Sequence, residues 1–226
     1  MQNFFKTQFD PTSAPKQPPK KESALFAYTL RTNGLQLFGL NLLTVLLCIP
    51  VVTAPAALCA MNRVCGILIR RGYVFLTETY FKEFKQSFFR SMLLGLLYGG
   101  FFLSGFISIC YGIAFEGEKV AVFSKIFGFV EIGVTFLLSS WSFILLSMQD
   151  LSPGQLIRNT VAMMFLELGC SLKILLITGL CAATMWILFP YSVFFLLILP
   201  CLTQFALCWI TKEPIQKRIV DQAESA

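Results

Sequence analysis

A succession of apolar runs constrains this chain more than any other feature, because each run is close to the length that crosses a lipid bilayer. A hydrocarbon core about 30 Å thick requires about 20 apolar helical residues. A soluble chain of 226 residues, of which 56% are hydrophobic and only 13% charged, could not bury so much apolar surface in one core. The sequence therefore predicts an all-α protein, a polytopic membrane helical bundle.

The apolar runs predict about six transmembrane helices, and the segments around them predict the domain organisation. The predicted spans cover residues 25 or 35–49, 54–70, 92–115, 120–148, 174–189 and 191–210. The first 24 residues are polar and proline-rich, which is typical of a flexible linker and not of a cleavable signal. We expect a cytosolic tail over residues 1–24, one transmembrane domain over 25–211 and a cytosolic tail over 212–226.

The stretch around Pro50 and Pro55 decides the topology, because it is either one span broken twice or a hairpin of two spans. Each proline removes a backbone donor and crowds the preceding helical turn. Thr53 offers a side-chain acceptor to the first amides of a new helix, and Pro55 then lies in the first turn, where proline is tolerated. This order predicts a helix end, a turn and a helix start.

The basic residues support the hairpin, because Lys and Arg accumulate on the cytosolic side of membrane proteins. With a cytosolic N-terminus and six crossings, all of the 18 Lys and Arg residues except Lys119 and Lys125 fall on the cytosolic side. If residues 35–70 formed a single span, the basic segment 63–90 would lie outside instead. The pattern therefore predicts that both termini are cytosolic.

Two predicted cytosolic connections carry apolar residues at helical spacing, which predicts two amphipathic helices along the inner membrane surface. In residues 77–91, charged and polar residues separate the aromatic ones. In residues 152–168, Ser152 is the predicted cap and Pro153 takes the first helical position. These helices either anchor the bundle or dock a partner. The candidate docking face consists of Tyr80, Phe81, Phe84 and Phe88.

Polar residues at membrane depth are the candidate site, because polar groups are costly in lipid. Counted from the nearest inner basic residue, Asn41 lies about 15 Å deep, Arg63 about 10 Å and Gln204 about 12 Å. With Asn62 they form a candidate intramembrane polar layer or a shallow cavity open to the cytosol. The alternative is that these groups satisfy one another across helices, with no ligand.

Other features of the spans predict packing and shape. Pro200 predicts a kink just before Gln204. Glu131 is expected near the outer edge of the fourth span, too far from Arg63 for a pair. Small residues in the third span predict close helix packing; they are Gly95, Gly99, Gly100, Ser104 and Gly105.

No sequence feature indicates catalysis, a metal or a cofactor, so we expect a protein that is not an enzyme. The chain has no His, which removes the commonest general base and metal ligand. Its 8 Cys residues show no zinc spacing, and we expect them to be small apolar core residues. Hydrolase, zinc-protease and nucleotide-binding motifs are absent from the sequence. The net charge is +6, and the basic residues that produce it flank apolar segments. They therefore indicate membrane topology and no nucleic-acid binding.

Two neighbouring segments resemble the YesL family of bacterial membrane proteins of unknown function. They are residues 41–63, NLLTVLLCIPVVTAPAALCAMNR, and the aromatic segment that follows, YFKEFKQSFFRS. An asparagine opens a leucine-rich run, a proline-valine-threonine turn follows, and a proline-alanine helix leads to a basic residue. The specific match covers residues 38–91, although Ser87 replaces the family's usual asparagine. The matching positions are Asn41, Pro50, Thr53, Pro55, Ala57, Arg63, Phe81 and Phe84.

The resemblance implies a multi-span bundle in the bacterial plasma membrane. Genes for such proteins often lie near genes for carbohydrate uptake and breakdown. This implies an accessory or permease-like subunit in solute uptake, with the lipid bilayer and transporter subunits as partners. The alternatives are a six-span substrate-binding subunit of a vitamin-type uptake transporter, whose cavity would open to the outside, and a non-transporting membrane scaffold or regulator.

Overall fold

The computed structural model describes residues 22–115, 119–148, 152–188, 196 and 198–220. Its described segments are helices joined by turns, with no strand among them, so the all-α prediction is confirmed. The chain divides into two compact units, residues 1–34 and 35–226. Residues 1–21 of the predicted tail and the predicted start of the sixth span at Tyr191 lie outside the described residues.

Two separate helices occupy the region of the first predicted span. Helix α1 (Glu22–Thr32) ends before Asn33, whose side-chain amide donates to the Thr29 carbonyl at 3.1 Å. Helix α2 (Gly34–Cys48) has 15 residues, and none of them is charged. Its length of about 22 Å is less than the thickness of a bilayer core.

A short turn separates α2 from the next helix at the two prolines. The chain passes through a 3₁₀ turn (Val51–Thr53) into helix α3 (Ala54–Arg71), with Pro55 in the first turn. The predicted capping role of Thr53 is wrong: its hydroxyl donates back to the carbonyls of Leu47 and Pro50. Thr53 has helical dihedral angles, φ −88° and ψ −10°, whereas a capping residue needs an extended conformation to reach the new amides.

Helix α4 (Leu76–Ala114) joins the predicted amphipathic segment and the third span in one element of 39 residues. The predicted separate surface helix over residues 77–91 therefore continues without a break into the apolar part. At about 1.5 Å per residue the helix is about 58 Å long, roughly twice the thickness of a bilayer core. The reason is local, because residues 77–91 contain neither Gly nor Pro to end the helix.

Three helices follow α4 in the chain. They are α5 (Lys119–Met148), α6 (Pro153–Leu166) and α7 (Leu168–Ile187). Helix α6 begins where the sequence predicts, and the Ser152 amide donates to the Gln155 side-chain oxygen at 3.2 Å. Only Glu167, with non-helical φ −114° and ψ 52°, separates α6 from α7.

Helix α8 (Leu199–Ile215) is the last α-helix of the described chain, and a π-helical turn (Gln216–Val220) follows it. Pro200 lies in the first turn of α8, where proline costs little, so within the described residues it begins a helix and does not kink one. The kink predicted at Pro200 is therefore not found in the described residues.

Helix α3 is the centre of the second unit. It packs against α4, α5 and α8, and its buried residues include many small ones, such as Ala57, Cys59 and Ala60. The most extensive helix interface joins α4 and α5. There a Cβ added to Gly128 would lie 2.6 Å from the Gly105 carbonyl oxygen, so the two backbones are in contact. The predicted close packing therefore holds at Gly105 and at Gly95, whereas Gly99 and Gly100 face open space.

The outer faces of the helices are apolar while several interior positions are polar. Large hydrophobic side chains such as Phe89 and Leu180 are 82% and 70% exposed, whereas Asn41, Asn62 and Ser142 are completely buried. Extensive exposed apolar surface is unusual for a soluble monomer and is the pattern that lipid contact requires.

Four segments in the described residues are long and apolar enough to cross a membrane. They are Val51–Arg71, Leu76–Ala114, Lys119–Met148 and Leu168–Ile187. The elements at the first and sixth predicted spans are shorter, with 15 residues in α2 and 17 in α8. Six spans are therefore not confirmed, and the structure supports four candidates.

Candidate functional site

Asn41 joins α2 to the start of α8. Its side-chain nitrogen donates to the Leu196 carbonyl at 2.9 Å, and its side-chain oxygen accepts from the Cys201 amide at 3.1 Å. The Cys201 amide is one of the first amides of α8, which have no partner inside their own helix. Asn41 thus caps a helix that lies about 160 residues away in sequence.

Asn62 is completely buried on α3, and one side of its amide faces α8. The Cys208 thiol donates to the Asn62 side-chain oxygen at 3.8 Å and to its backbone oxygen at 3.9 Å. The Asn62 side-chain nitrogen has no hydrogen-bond partner among the residues that the structure describes. An amide donor without a partner in the packed interior costs about 1–3 kcal/mol, which makes this position sensitive to rearrangement.

Arg63 lies near the middle of α3 and contacts two other helices. Its guanidinium donates to the Ser147 carbonyl at 2.8 Å, in the last turn of α5, where carbonyls lack helical partners. Its Nε lies 3.7 Å from the Glu83 carboxylate of α4. The expectation that Arg63 does not pair with Glu131 agrees with this geometry. The Arg63 side chain is 39% exposed, so the ion pair is partly hydrated.

A basic cavity of about 560 Å³ opens beside Arg63, between the end of α3 and the first part of α4. We call it the basic cavity because four of its lining residues are cationic and two are anionic. Its other six lining residues are two polar and four apolar ones. The lining residues are Arg63, Gly66, Ile67, Arg70, Arg71, Phe75, Glu78, Thr79, Lys82, Glu83, Gln86 and Met148.

A second cavity of about 460 Å³, the apolar cavity, lies at the other end of α3. Aromatic and aliphatic side chains form most of its wall, and Gln204 is the largest polar side chain in it. The lining residues are Val51, Ala54, Pro55, Leu58, Gly95, Tyr98, Gly99, Phe102, Phe136, Ser139, Ser140, Phe143, Thr178, Gln204 and Leu207.

The four predicted polar-layer residues therefore divide among different environments. Arg63 lines the basic cavity and Gln204 lines the apolar cavity. Asn41 and Asn62 are buried and hydrogen-bonded to α8, and Asn41 also bonds to Leu196, which precedes that helix. Counting along the sequence from the nearest basic residues predicts similar membrane depths for these residues. Depth along a helix does not, however, specify which face of the helix a side chain occupies.

The predicted docking residues also separate. Tyr80 is completely buried and its hydroxyl donates to the Ala57 carbonyl at 3.3 Å, so it packs α4 onto α3. Phe81 is exposed, and Phe84 and Phe88 are half-buried. Phe84 stacks on Tyr80 at a centroid separation of 6.5 Å. Among the four, Phe81 is thus the most accessible to a partner.

Interhelical hydrogen bonds inside the bundle were not predicted. The Tyr98 hydroxyl of α4 lies 2.5 Å from the Ser142 hydroxyl of α5, which lies 3.1 Å from the Thr160 hydroxyl of α6. The Trp141 indole donates to the Ser171 hydroxyl at 3.1 Å. The run SSWS at 139–142, inside an otherwise apolar segment, was the available sequence signal.

The fold and its exposed apolar faces are compatible with an integral membrane protein of the all-helical class. A family model described as "Protein of unknown function, DUF624" matches residues 37–109 of the 226. The matched segment contains most of α2, the proline turn, α3 and most of α4, so it includes nearly all of the lining of the basic cavity. No curated protein and no solved structure matches the chain.

Proposed function

We propose that this chain is an integral plasma-membrane protein that acts as an accessory or permease-like subunit in solute uptake, with carbohydrates as the favoured solute class. The resemblance of residues 38–91 to the YesL family suggests the carbohydrate link. One structural observation supports a role in solute passage, namely two cavities at opposite ends of the α3–α4 pair. The matched family has no described activity.

A packed layer separates the two cavities. The apolar cavity ends on α3 at Leu58 and the basic cavity begins at Arg63. The α3 residues between them, 59–62, are at most 1% exposed, and Ser87, Ser91 and Leu94 of α4 are also buried. Transporters that alternate between two openings require a closed layer of this kind, and small side chains within it allow helices to shift.

The cytosolic side of the proposed topology is the side of the basic cavity. The arginines and lysines around α3 and α4 favour this orientation, because basic loops are retained in the cytosol. The apolar cavity, beside the turn that contains Val51, then opens toward the outside. Both termini would be cytosolic in a bacterial plasma membrane.

A cavity-filling variant tests the proposal. Gln86 is exposed on α4 and lines the basic cavity, whereas the adjacent Lys85 is exposed and does not line it. In cells that lack the native copy, we expect Gln86→Trp to reduce labelled-sugar uptake to the level of cells without the protein. Lys85→Trp is the matched control and should restore uptake, with membrane abundance checked by immunoblot.

The same experiment distinguishes the uptake proposal from the alternative of a non-transporting scaffold. A non-transporting scaffold would tolerate Gln86→Trp and Arg63→Leu but would lose function when Phe81 and Phe84 are both changed to Ala. If deletion of the protein leaves uptake of every tested sugar unchanged, and purification from native membranes yields no transporter component, the uptake proposal is wrong.

The vitamin-type alternative is favoured by one observation, the apolar cavity beside the turn. Apolar walls with a few polar groups are typical of small-molecule sites. We expect a bound vitamin to raise the thermal midpoint of the detergent-solubilised protein, and Gln204→Leu to remove that rise. Gln86→Leu, in the other cavity, is the control. Stabilisation by sugars only would contradict this alternative.

A further inference from the structure

The basic cavity concentrates positive charge that its own carboxylates do not balance. Glu83 faces Arg63 at 3.7 Å, and Glu78 lies in the first turn of α4, where a carboxylate offsets the positive end of the helix dipole. Arg70, Arg71 and Lys82 form no ion pair with any side chain in the described part of the chain. Three cations therefore line this cavity with no ion-pair partner among the residues that the structure describes.

These cations are held by two different helices. Arg70 and Arg71 occupy the last turn of α3, which Gly72 ends with a left-handed φ of 76° and a bond from its amide to the Leu68 carbonyl. Lys82 projects from α4, two turns into that helix. Because α3 and α4 pack against each other, the backbone positions that carry these charges are set before any anion binds, which lowers the entropic cost of binding.

We propose that the basic cavity binds a phosphate-bearing group, carried either by a soluble phosphate monoester or by the headgroup of an anionic phospholipid. Phosphate offers several oxygens to the planar guanidinium groups of two arginines, and lysine adds a point charge. Thr79 and Gln86 supply a hydroxyl and an amide for neighbouring polar groups. A cavity of about 560 Å³ is within the size range of small-molecule sites.

This inference goes beyond the proposed function and does not depend on it, because an anion can bind whether or not the protein moves a solute. The cations also fit the simpler role of retaining a loop in the cytosol. The two roles differ in one respect: retention depends on the number of charges in the loop, whereas binding depends on which charges line the cavity.

Two neighbouring lysines on α4 test this difference. Both Lys82 and Lys85 are exposed, but only Lys82 lines the basic cavity. We would titrate the full chain, in nanodiscs of phosphatidylcholine, with glucose 6-phosphate and with glucose as the uncharged control. A second arm would incorporate phosphatidylglycerol and measure its retention by native mass spectrometry. The thermal midpoint of each variant would be measured to verify folding.

We expect glucose 6-phosphate or phosphatidylglycerol to bind and glucose not to bind. Lys82→Gln should weaken binding about tenfold, because a charge-assisted bond is lost. Lys85→Gln should weaken it less than about twofold, because that charge is exposed and screened. Binding in phosphatidylcholine nanodiscs identifies a soluble monoester, and retention of phosphatidylglycerol alone identifies a lipid. If neither probe binds, or if the two lysine variants weaken binding equally, the proposed site does not exist.

Discussion

Asn41 is the residue on which the start of α8 depends. Both ends of its side-chain amide are bonded, one to the Leu196 carbonyl and the other to the Cys201 amide. These partners belong to a segment that contains Pro200, which has no amide hydrogen to contribute. A single polar side chain thus satisfies backbone groups that apolar neighbours could not satisfy.

We therefore predict that Asn41→Leu destabilises the protein by about 1–3 kcal/mol, because it leaves the buried Cys201 amide and the partly buried Leu196 carbonyl unpaired. Asn33→Leu is the matched control, since the hydrogen bond of the Asn33 side chain is local, to the Thr29 carbonyl four residues earlier. The measurement is the thermal midpoint in detergent, monitored by size-exclusion chromatography. Equal midpoints for the two variants would show that the capping contact contributes no stability.

At the scale of helices, the α4–α5 interface shows how glycine permits close packing. The Gly128 position lies so near α4 that an added Cβ would be 2.7 Å from an Ile109 side-chain carbon and 3.1 Å from the Ile109 amide nitrogen. Backbone atoms cannot move aside as a flexible side chain can. Gly133, also on α5, has nothing within 4 Å of such a Cβ.

The corresponding prediction compares two identical substitutions in one helix. Gly128→Ala should destabilise the folded protein by about 1–3 kcal/mol, because the helices must separate. Gly133→Ala should be neutral or stabilising by up to about 1 kcal/mol, because alanine has the higher helix propensity. Denaturation in mixed micelles measures both. A neutral Gly128→Ala would mean that the α4–α5 contact is looser than the structure shows.

At the scale of the whole molecule, apolar side chains cover the outside of the helices as well as filling the core, unlike in a soluble protein. Exposed apolar faces surround α4, α5 and α7, whereas hydroxyl and amide groups such as those of Ser142, Thr160 and Asn62 are inside. Helix α3 is the most enclosed of the four candidate spans, with 56% of its most apolar window buried. Labels at the two ends of α3 would therefore report the orientation of the protein in a membrane.

Those two ends give a direct test of the topology. Val52 and Tyr73 flank α3 and are 61% and 64% exposed, so a reagent can reach either if it is on the correct side. In a background with all 8 native cysteines replaced, we expect a membrane-impermeant maleimide to label Val52→Cys in intact cells. Tyr73→Cys should react only after permeabilisation. Labelling of both or of Tyr73→Cys alone from outside would refute a cytosolic N-terminus followed by a hairpin.

The sequence by itself determined the helical class and several helix ends. Long apolar runs favour helices in an apolar environment, because backbone N–H and C=O groups there must find hydrogen-bond partners within the protein. Pro50 and Pro55 end one helix and begin another, and Ser152 and Pro153 begin α6, because these effects act within one turn of the chain. Local chemistry is sufficient for such features.

Only the tertiary structure decided which polar groups meet. Arg63 reaches a carbonyl 84 residues away and Asn41 an amide 160 residues away, and Gln204 occupies a different cavity from Arg63. The merging of residues 77–91 into α4 likewise brought Lys82 and Arg70 into the lining of one cavity. The physical reason is that helix periodicity specifies a face but not its neighbour, which depends on packing against helices distant in sequence.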